Sequence, residues 1–199
     1  MKNCILWMMC AALFAACTSK TPEKLADYPS VTKIFTEQET ADLQNLLDVF
    51  EFEIGIQNEA SSEAKVAGYS VFNKQVLASM EEGKLDNYPL SNEQKIKLLD
   101  VLHVSTFRSI WSLGVSTYSD GNQYPSFSIH TQGKFMDLLL ELSKEYPQFT
   151  GLADELRMAG DLIPNFATTL FLQNDKLNMR DARVRLVYAI SCLRGDWRN

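Results

Sequence analysis

Apolar side chains recur every three or four positions along most of the chain, the spacing that gathers them on one face of an α-helix. Leu43, Leu46, Leu47, Phe50 and Ile54 form the first such series, and Val49, Phe52 and Ile56 widen its apolar face. Thr36-Glu37-Gln38-Glu39 stands directly before it. In a box of this kind the Thr hydroxyl and the Glu carboxylate each satisfy an orphan backbone N–H, so the pattern predicts a central helix that opens at Thr36 and weakens at Gly55. Val66, Tyr69, Phe72, Val76 and Met80 predict a second helix from Glu63 to Glu82, closed by Gly83. Ser91-Asn92-Glu93-Gln94 opens a third on Ile96, Leu99, His103, Phe107 and Ile110, with Trp111 beside them, running to Gly114. A fourth, from about Thr131 to Tyr146, rests on Phe135, Leu138, Leu139 and Leu142 and stops at Pro147, which lacks the next N–H donor. A fifth spans Gln148 to Met158 before Gly160, and a sixth takes Pro164 in its first turn and turns Phe166, Leu170 and Phe171 inward. The last is expected to start with Asn178 as N-cap and Asp181 at its third position, burying Ala182, Leu186, Ile190 and Leu193.

The period changes between the third and fourth helices. Val115, Thr117 and Ser119 precede Asp120-Gly121, and Asn122, Tyr124, Phe127 and Ile129 follow. Asp-Gly between β-prone segments signals a hairpin, because both central residues of a type I′ turn take positive φ. Pro125 confines the returning strand to an edge or an irregular loop. The expected class is therefore all-α: a single-domain helix bundle or orthogonal array of about six or seven helices, with a long loop or small β-hairpin near 115–129.

Length and composition agree with one compact unit. The chain has 199 residues, 46% hydrophobic and 22% charged, with 9 Gly and 6 Pro, which excludes disordered and low-complexity classes. Lys and Arg total 19 against 25 Asp and Glu, so the cationic field that a nucleic-acid backbone demands is missing. Nucleic acid is not expected as a partner.

The first residues carry a different signal. Lys2 is followed by an uncharged apolar run from Ile5 to Ala16, which reaches Cys17 through Phe14-Ala15-Ala16. A charged start, an apolar stretch and a small-residue cleavage zone define a secretory signal, and the run is shorter than the ~18 apolar residues of a membrane-spanning helix. Phe14-Ala15-Ala16-Cys17 resembles the lipobox of the bacterial lipoprotein precursors, fitting at three of four places, with Phe14 where that family usually has Leu. The resemblance covers residues 1 to 17. It implies cleavage before Cys17, acyl chains such as palmitate on the mature N-terminal cysteine, and, since no Asp follows Cys17, retention at the outer membrane with the face left open. Several acyl chains, at ~0.8 kcal/mol per buried methylene, hold a protein to a bilayer where one would not. The organisation that follows is a signal peptide over 1–16, a lipidated Cys17 and tether over 17–34, and a helical domain over 35–199. Cleavage nearby without lipid, giving a plain secreted protein, is the alternative.

Reactive constellations are scarce in this reading. Cys4 and Cys10 leave with the signal and Cys17 takes lipid, so Cys192 has no disulfide partner and reads as a small buried residue in a helix. His103 and His130 are the two imidazoles, and neither has a second ligand at metal-binding spacing. No metal and no cofactor is expected. Asp48, Glu51 and Glu53, Glu59 and Glu63, and Asp154-Glu155 offer carboxylate pairs of the kind glycan hydrolysis uses, or solvated faces and caps. No Gly-x-Ser-x-Gly elbow or glycine-rich phosphate loop is present.

Two groups remain as candidate partner-binding residues. Tyr118, Tyr124, Phe127 and His130 lie on or beside the long connection, where aromatic faces grip a sugar ring or a peptide, or fold back as a lid over the core. Arg180 and Arg183 stand near the start of the last helix, in a segment, 176–199, with six basic and two acidic side chains. They pair with acidic neighbours inside the fold or meet an anionic partner. The function expected is that of a membrane-anchored envelope lipoprotein acting as a binding or assembly module for a protein or glycan. The alternatives are a small envelope glycan hydrolase using a carboxylate pair, and an inhibitor that guards against a toxic enzyme.

Overall fold

The computed structural model describes residues 23–82, 89–117, 121–159, 170–193 and 195–196. Within them a short 3-10 turn, Leu25–Asp27, is followed by α1 (Pro29–Thr32), α2 (Glu37–Glu53), α3 (Ser62–Glu81), α4 (Asn92–Asp100) and α5 (Val104–Ile110). Strands β1 (Trp111–Thr117) and β2 (Gln123–Ile129) come next. Then follow α6 (Lys134–Ser143), α7 (Gln148–Ala159), a 3-10 turn at Asn174–Lys176, α8 (Ala182–Cys192) and the two-residue strand β3 (Gly195–Asp196). The fold is all-α with a small antiparallel sheet of order β1-β2-β3.

Local signals placed several boundaries. Thr36 accepts a hydrogen bond from the Glu39 N–H while Glu39 accepts from the Thr36 N–H, and Ser91 and Gln94 make the same reciprocal pair at the start of α4. Gly55, at φ 87°, takes the left-handed position after α2 that a side chain would strain. The chain then returns Ile56 to the core against Gly68, where an added Cβ would overlap the Ile56 side chain. Gly83, expected to close the second helix, and the start of the sixth, with Pro164 and Phe166, lie outside the described residues.

Helix α8 is the hub. All eleven of its residues are buried, Arg183 and Arg185 among them. Tyr188 sits among Phe50, Tyr69, Phe72 and Phe171 in edge-to-face contacts and donates its hydroxyl proton to Asn73 at 2.9 Å. A helix buried on every side must satisfy its polar groups internally, and a buried guanidinium needs a counter-charge. Arg185 finds one in Glu51 of α2 at 2.7 Å, with both side chains almost wholly buried, and donates further to the carbonyls of Met179 and Arg180. Lys65 reaches the other oxygen of Glu51 at 2.6 Å.

A second ion pair fixes where α8 begins. Asp181, not Asn178, is its N-cap: the carboxylate accepts from the Arg183 N–H at 2.9 Å and from the Tyr146 hydroxyl at 2.9 Å. The Arg183 guanidinium bonds Asp181 and both oxygens of Glu145, and lies over the Tyr28 ring at 4.6 Å. Burial disfavours its charge, but Glu145 and Asp181 outweigh that and raise the pKa of Arg183. Burial likewise opposes charge on Asp181, and Arg183 with Tyr146 holds its carboxyl below the ordinary value.

Three expectations are corrected here. The segment assigned to a tether, 17–34, belongs to the body from Leu25 onward, since Leu25 and Val31 are fully buried and the Tyr28 hydroxyl accepts from the Ala182 N–H. The third helix does not run to Gly114: it breaks at Val101–His103 and restarts as α5, and the chain turns to strand at Trp111. Phe52 is 63% exposed and so does not widen the face of α2. Pro125 lies inside β2, paired in register with Val115, at a point β3 does not reach, so the strand is open on one side there, as expected of a proline.

Glu51→Ala leaves the Arg185 guanidinium buried without a counter-charge, and is expected to cost about 3–5 kcal/mol, read as a lower urea midpoint. Glu51→Leu combined with Arg185→Met is expected to recover much of that loss. A single-variant loss below about 1 kcal/mol would remove the pair from its place in the core.

Candidate functional site

The β-hairpin and its root carry an exposed apolar strip on a buried base. Its register runs from Trp111↔Ile129 to Thr117↔Gln123, so Trp111, Leu113, Val115 and Thr117 share a face with Ile129, Phe127, Pro125 and Gln123. The inner half of that face is core. Trp111, Phe127 and Ile129 are buried, and Phe107 of α5 stacks on Trp111 at 5.3 Å and meets Phe127 edge-on at 6.0 Å. The outer half is open, with Leu113 78% and Val115 63% exposed and Pro125 exposed beside them. Ser112, Gly114, Ser126 and Ser128 lie on the opposite face.

The root is rigidly built. The His130 N–H donates to the Ile110 carbonyl at 2.7 Å, tying the end of β2 to the end of α5. Gly133 then brings α6 against α5: a Cβ there would come 2.5 Å from the Ser109 carbonyl oxygen. Gly121, at φ 83°, supplies the left-handed turn residue that the Asp-Gly signal calls for. Neither seven-residue strand contains an ionisable side chain other than the Tyr124 phenol. An uncharged apolar strip on a chain of net charge −6 is suited to contact with a partner.

The residues singled out from sequence separate. Phe127 is 5% exposed and packs with Phe107 and Trp111, so it belongs to the core and not to an open binding face. His130 is half-buried at the hairpin root. Tyr118 and the Tyr124 side chain lie outside the described residues, as does Cys17; the Tyr124 backbone pairs with Ser116. Arg183 is buried between Asp181 and Glu145 and is taken up by the fold. Arg180 is exposed and reaches Glu63 at 3.4 Å. Leu113 and Val115, the residues that make the open strip, were not marked as a site by sequence; their alternation with Ser112, Gly114 and Ser116 was the available signal.

A second constellation is reactive in kind but structural in its bonding. Asp42 of α2 is buried, and its carboxylate accepts from the His103 N–H at 3.1 Å, Thr106 Oγ1 at 2.5 Å and Gln38 Nε2 at 2.9 Å. His103 Nδ1 lies 2.9 Å from Asp42 Oδ1, while the His103 side chain is 64% exposed. His103 is thus the exposed N-cap residue of α5, not a member of a buried apolar stripe, and Asp42 supplies the cap that its own side chain does not. An imidazole tied through Nδ1 keeps Nε2 for another partner, but no hydroxyl or thiol nucleophile is bonded to it among the described residues.

Four of the seven carboxylates offered for hydrolysis are tied to other side chains. Glu51 holds Arg185 and Lys65, Glu53 pairs with Lys97, Asp48 accepts from Gln44, and Glu63 meets Arg180. No group of three or more His, Cys, Asp or Glu with metal-holding geometry occurs among the described residues, and no helix among them is long and apolar enough to cross a membrane. Comparison with known proteins finds no matching family model, no matching curated protein and no matching solved structure.

Burial opposes charge on Asp42, but the hydrogen bonds from Thr106 and His103 prevail and hold its pKa down to about 2. A depressed folded-state value stabilises the protein fully above the unfolded carboxyl range and is lost as pH falls through about 4 toward 2. Wild type is therefore expected to lose roughly 2 kcal/mol through this group across that window. Asp42→Asn should be less stable at neutral pH and show a shallower acid limb in thermal melts. Parallel acid limbs in the two proteins would contradict this role.

Proposed function

We propose that this chain is a membrane-anchored envelope lipoprotein that works by binding, with the open strip of the hairpin as its contact surface for a protein or glycan partner. The observation that carries the binding half is the exposure of Leu113 and Val115 on uncharged strands whose root is fixed by buried Trp111, Phe127 and Ile129. A rigid base presenting apolar side chains loses little conformational freedom on contact, which favours association.

The anchoring half is supported by the order of residues up to Cys17. Leu25 is the first buried residue among those described, and residues 18–24 lie between it and Cys17 in sequence. Even fully extended, that stretch spans at most ~25 Å. A body held this close to a bilayer meets partners in or near the membrane surface.

Fractionation of cells expressing the full chain tests the anchor. The protein should sediment with membranes, and mass spectrometry should find acyl chains on a mature N-terminus at Cys17; Cys17→Ser should abolish both. A wild-type chain recovered from the cytosol with its leader attached, or a mature chain with an unmodified residue 17, would overturn the reading.

A further inference from the structure

Among the described residues, strand β1 carries none of the devices by which sheets discourage edge pairing. An outer strand presents a row of unpaired N–H and C=O groups, and proteins blunt such edges with charge, proline, bulges or covering elements. Among the described residues β1 pairs with β2 alone, in an unbroken register along its whole length. Its sequence, Trp-Ser-Leu-Gly-Val-Ser-Thr, has no charged residue and no proline. Ser112, Leu113, Gly114, Val115 and Thr117 are all exposed.

The strand is also self-complementary. About Gly114 the sequence is symmetric in kind, with Leu113 matched by Val115 and Ser112 matched by Ser116. A twofold contact sets a surface against its own copy, and so requires this property. Antiparallel pairing centred on Gly114 puts Leu113 opposite Val115 of the second copy on one face, and Ser112 opposite Ser116 on the other. Charge points the same way: copies of net charge −6 repel over most of their surface, whereas an uncharged edge sets no like charges against each other.

We propose that β1 is the docking edge for a second copy of this chain, joining two three-stranded sheets into one across a twofold axis at Gly114. The inference rests on the hairpin being the contact surface and names its partner. One strand-to-strand contact is small beside the ~1,600 Å² of a standard interface, so pairing is weak in dilute solution. Anchoring to a membrane raises the effective concentration and favours it.

Cysteine cross-linking of the full chain in its membranes tests this. Directly opposed residues of antiparallel strands have Cα atoms about 4.5–5.5 Å apart, within disulfide range. Gly114→Cys should therefore give a disulfide-linked dimer on mild oxidation, at least ten-fold above the wild-type background. Ser112→Cys alone should not, because its own counterpart lies about 13 Å away in this register; mixed with Ser116→Cys it should. Adding Leu113→Lys and Val115→Lys to Gly114→Cys opposes like charges across the axis and should abolish the product, while circular dichroism confirms the fold. No dimer from Gly114→Cys, or equal yields from Gly114→Cys and Ser112→Cys, would overturn the proposal. Sedimentation of the same samples separates the two readings: membrane-bound chain without cross-link sinks self-pairing alone, and soluble chain with cross-link sinks the anchor alone.

Discussion

Burying two guanidinium groups on one helix is the constraint around which the body is organised. Arg183 and Arg185 project from α8, every residue of which is buried, and neither charge is tolerable there without a carboxylate in contact. Glu51 answers from α2, and Asp181 with Glu145 answers from the start of α8 and the segment after α6. Glu51 and Glu145 lie far from α8 in sequence, so their pairs set how α2 and the segment after α6 sit against α8. The aromatic cluster around Tyr188 then fills the space between α2, α3 and α8. Apolar packing supplies most of the driving force, and the ion pairs decide which packing is allowed.

This takes three of the six basic side chains of the C-terminal segment out of any free cationic surface. Two of its arginines are neutralised inside the fold and Arg180 reaches Glu63. The hairpin, which begins where α5 stops, presents a different surface. Its inner half is locked into the body by Trp111, Phe127 and Phe107, and its outer half stands in solvent with apolar side chains exposed. Core packing and exposed strip are two ends of one sheet face, so the fold itself positions the surface proposed for contact.

Features fixed within a few residues were legible in the sequence. The boxes at Thr36 and Ser91 and the Asp-Gly turn depend on groups three or fewer positions apart, and they stand where local chemistry puts them. The break before α5 was not legible, because His103 is capped by Asp42 from 61 residues away. Trp111 suits the edge of a helical stripe as well as the first residue of a strand, which hid the start of β1. Asn178 and Asp181 are both good caps, and the choice fell to Asp181 because Arg183 and Tyr146 bind it. Leu25, Tyr28 and Val31 looked like a linker among Pro and Ser residues, yet their burial depends on α2 and α8, which local composition does not reveal.

Native-state hydrogen exchange addresses the central claim most directly, since it reads which amides open only when the whole body unfolds. The account expects the amides of α8, together with those of α2 around Glu51, to exchange last and at the rate of global unfolding, with the outer half of β1 exchanging far sooner. Early exchange along α8, ahead of α2 and α6, would contradict it.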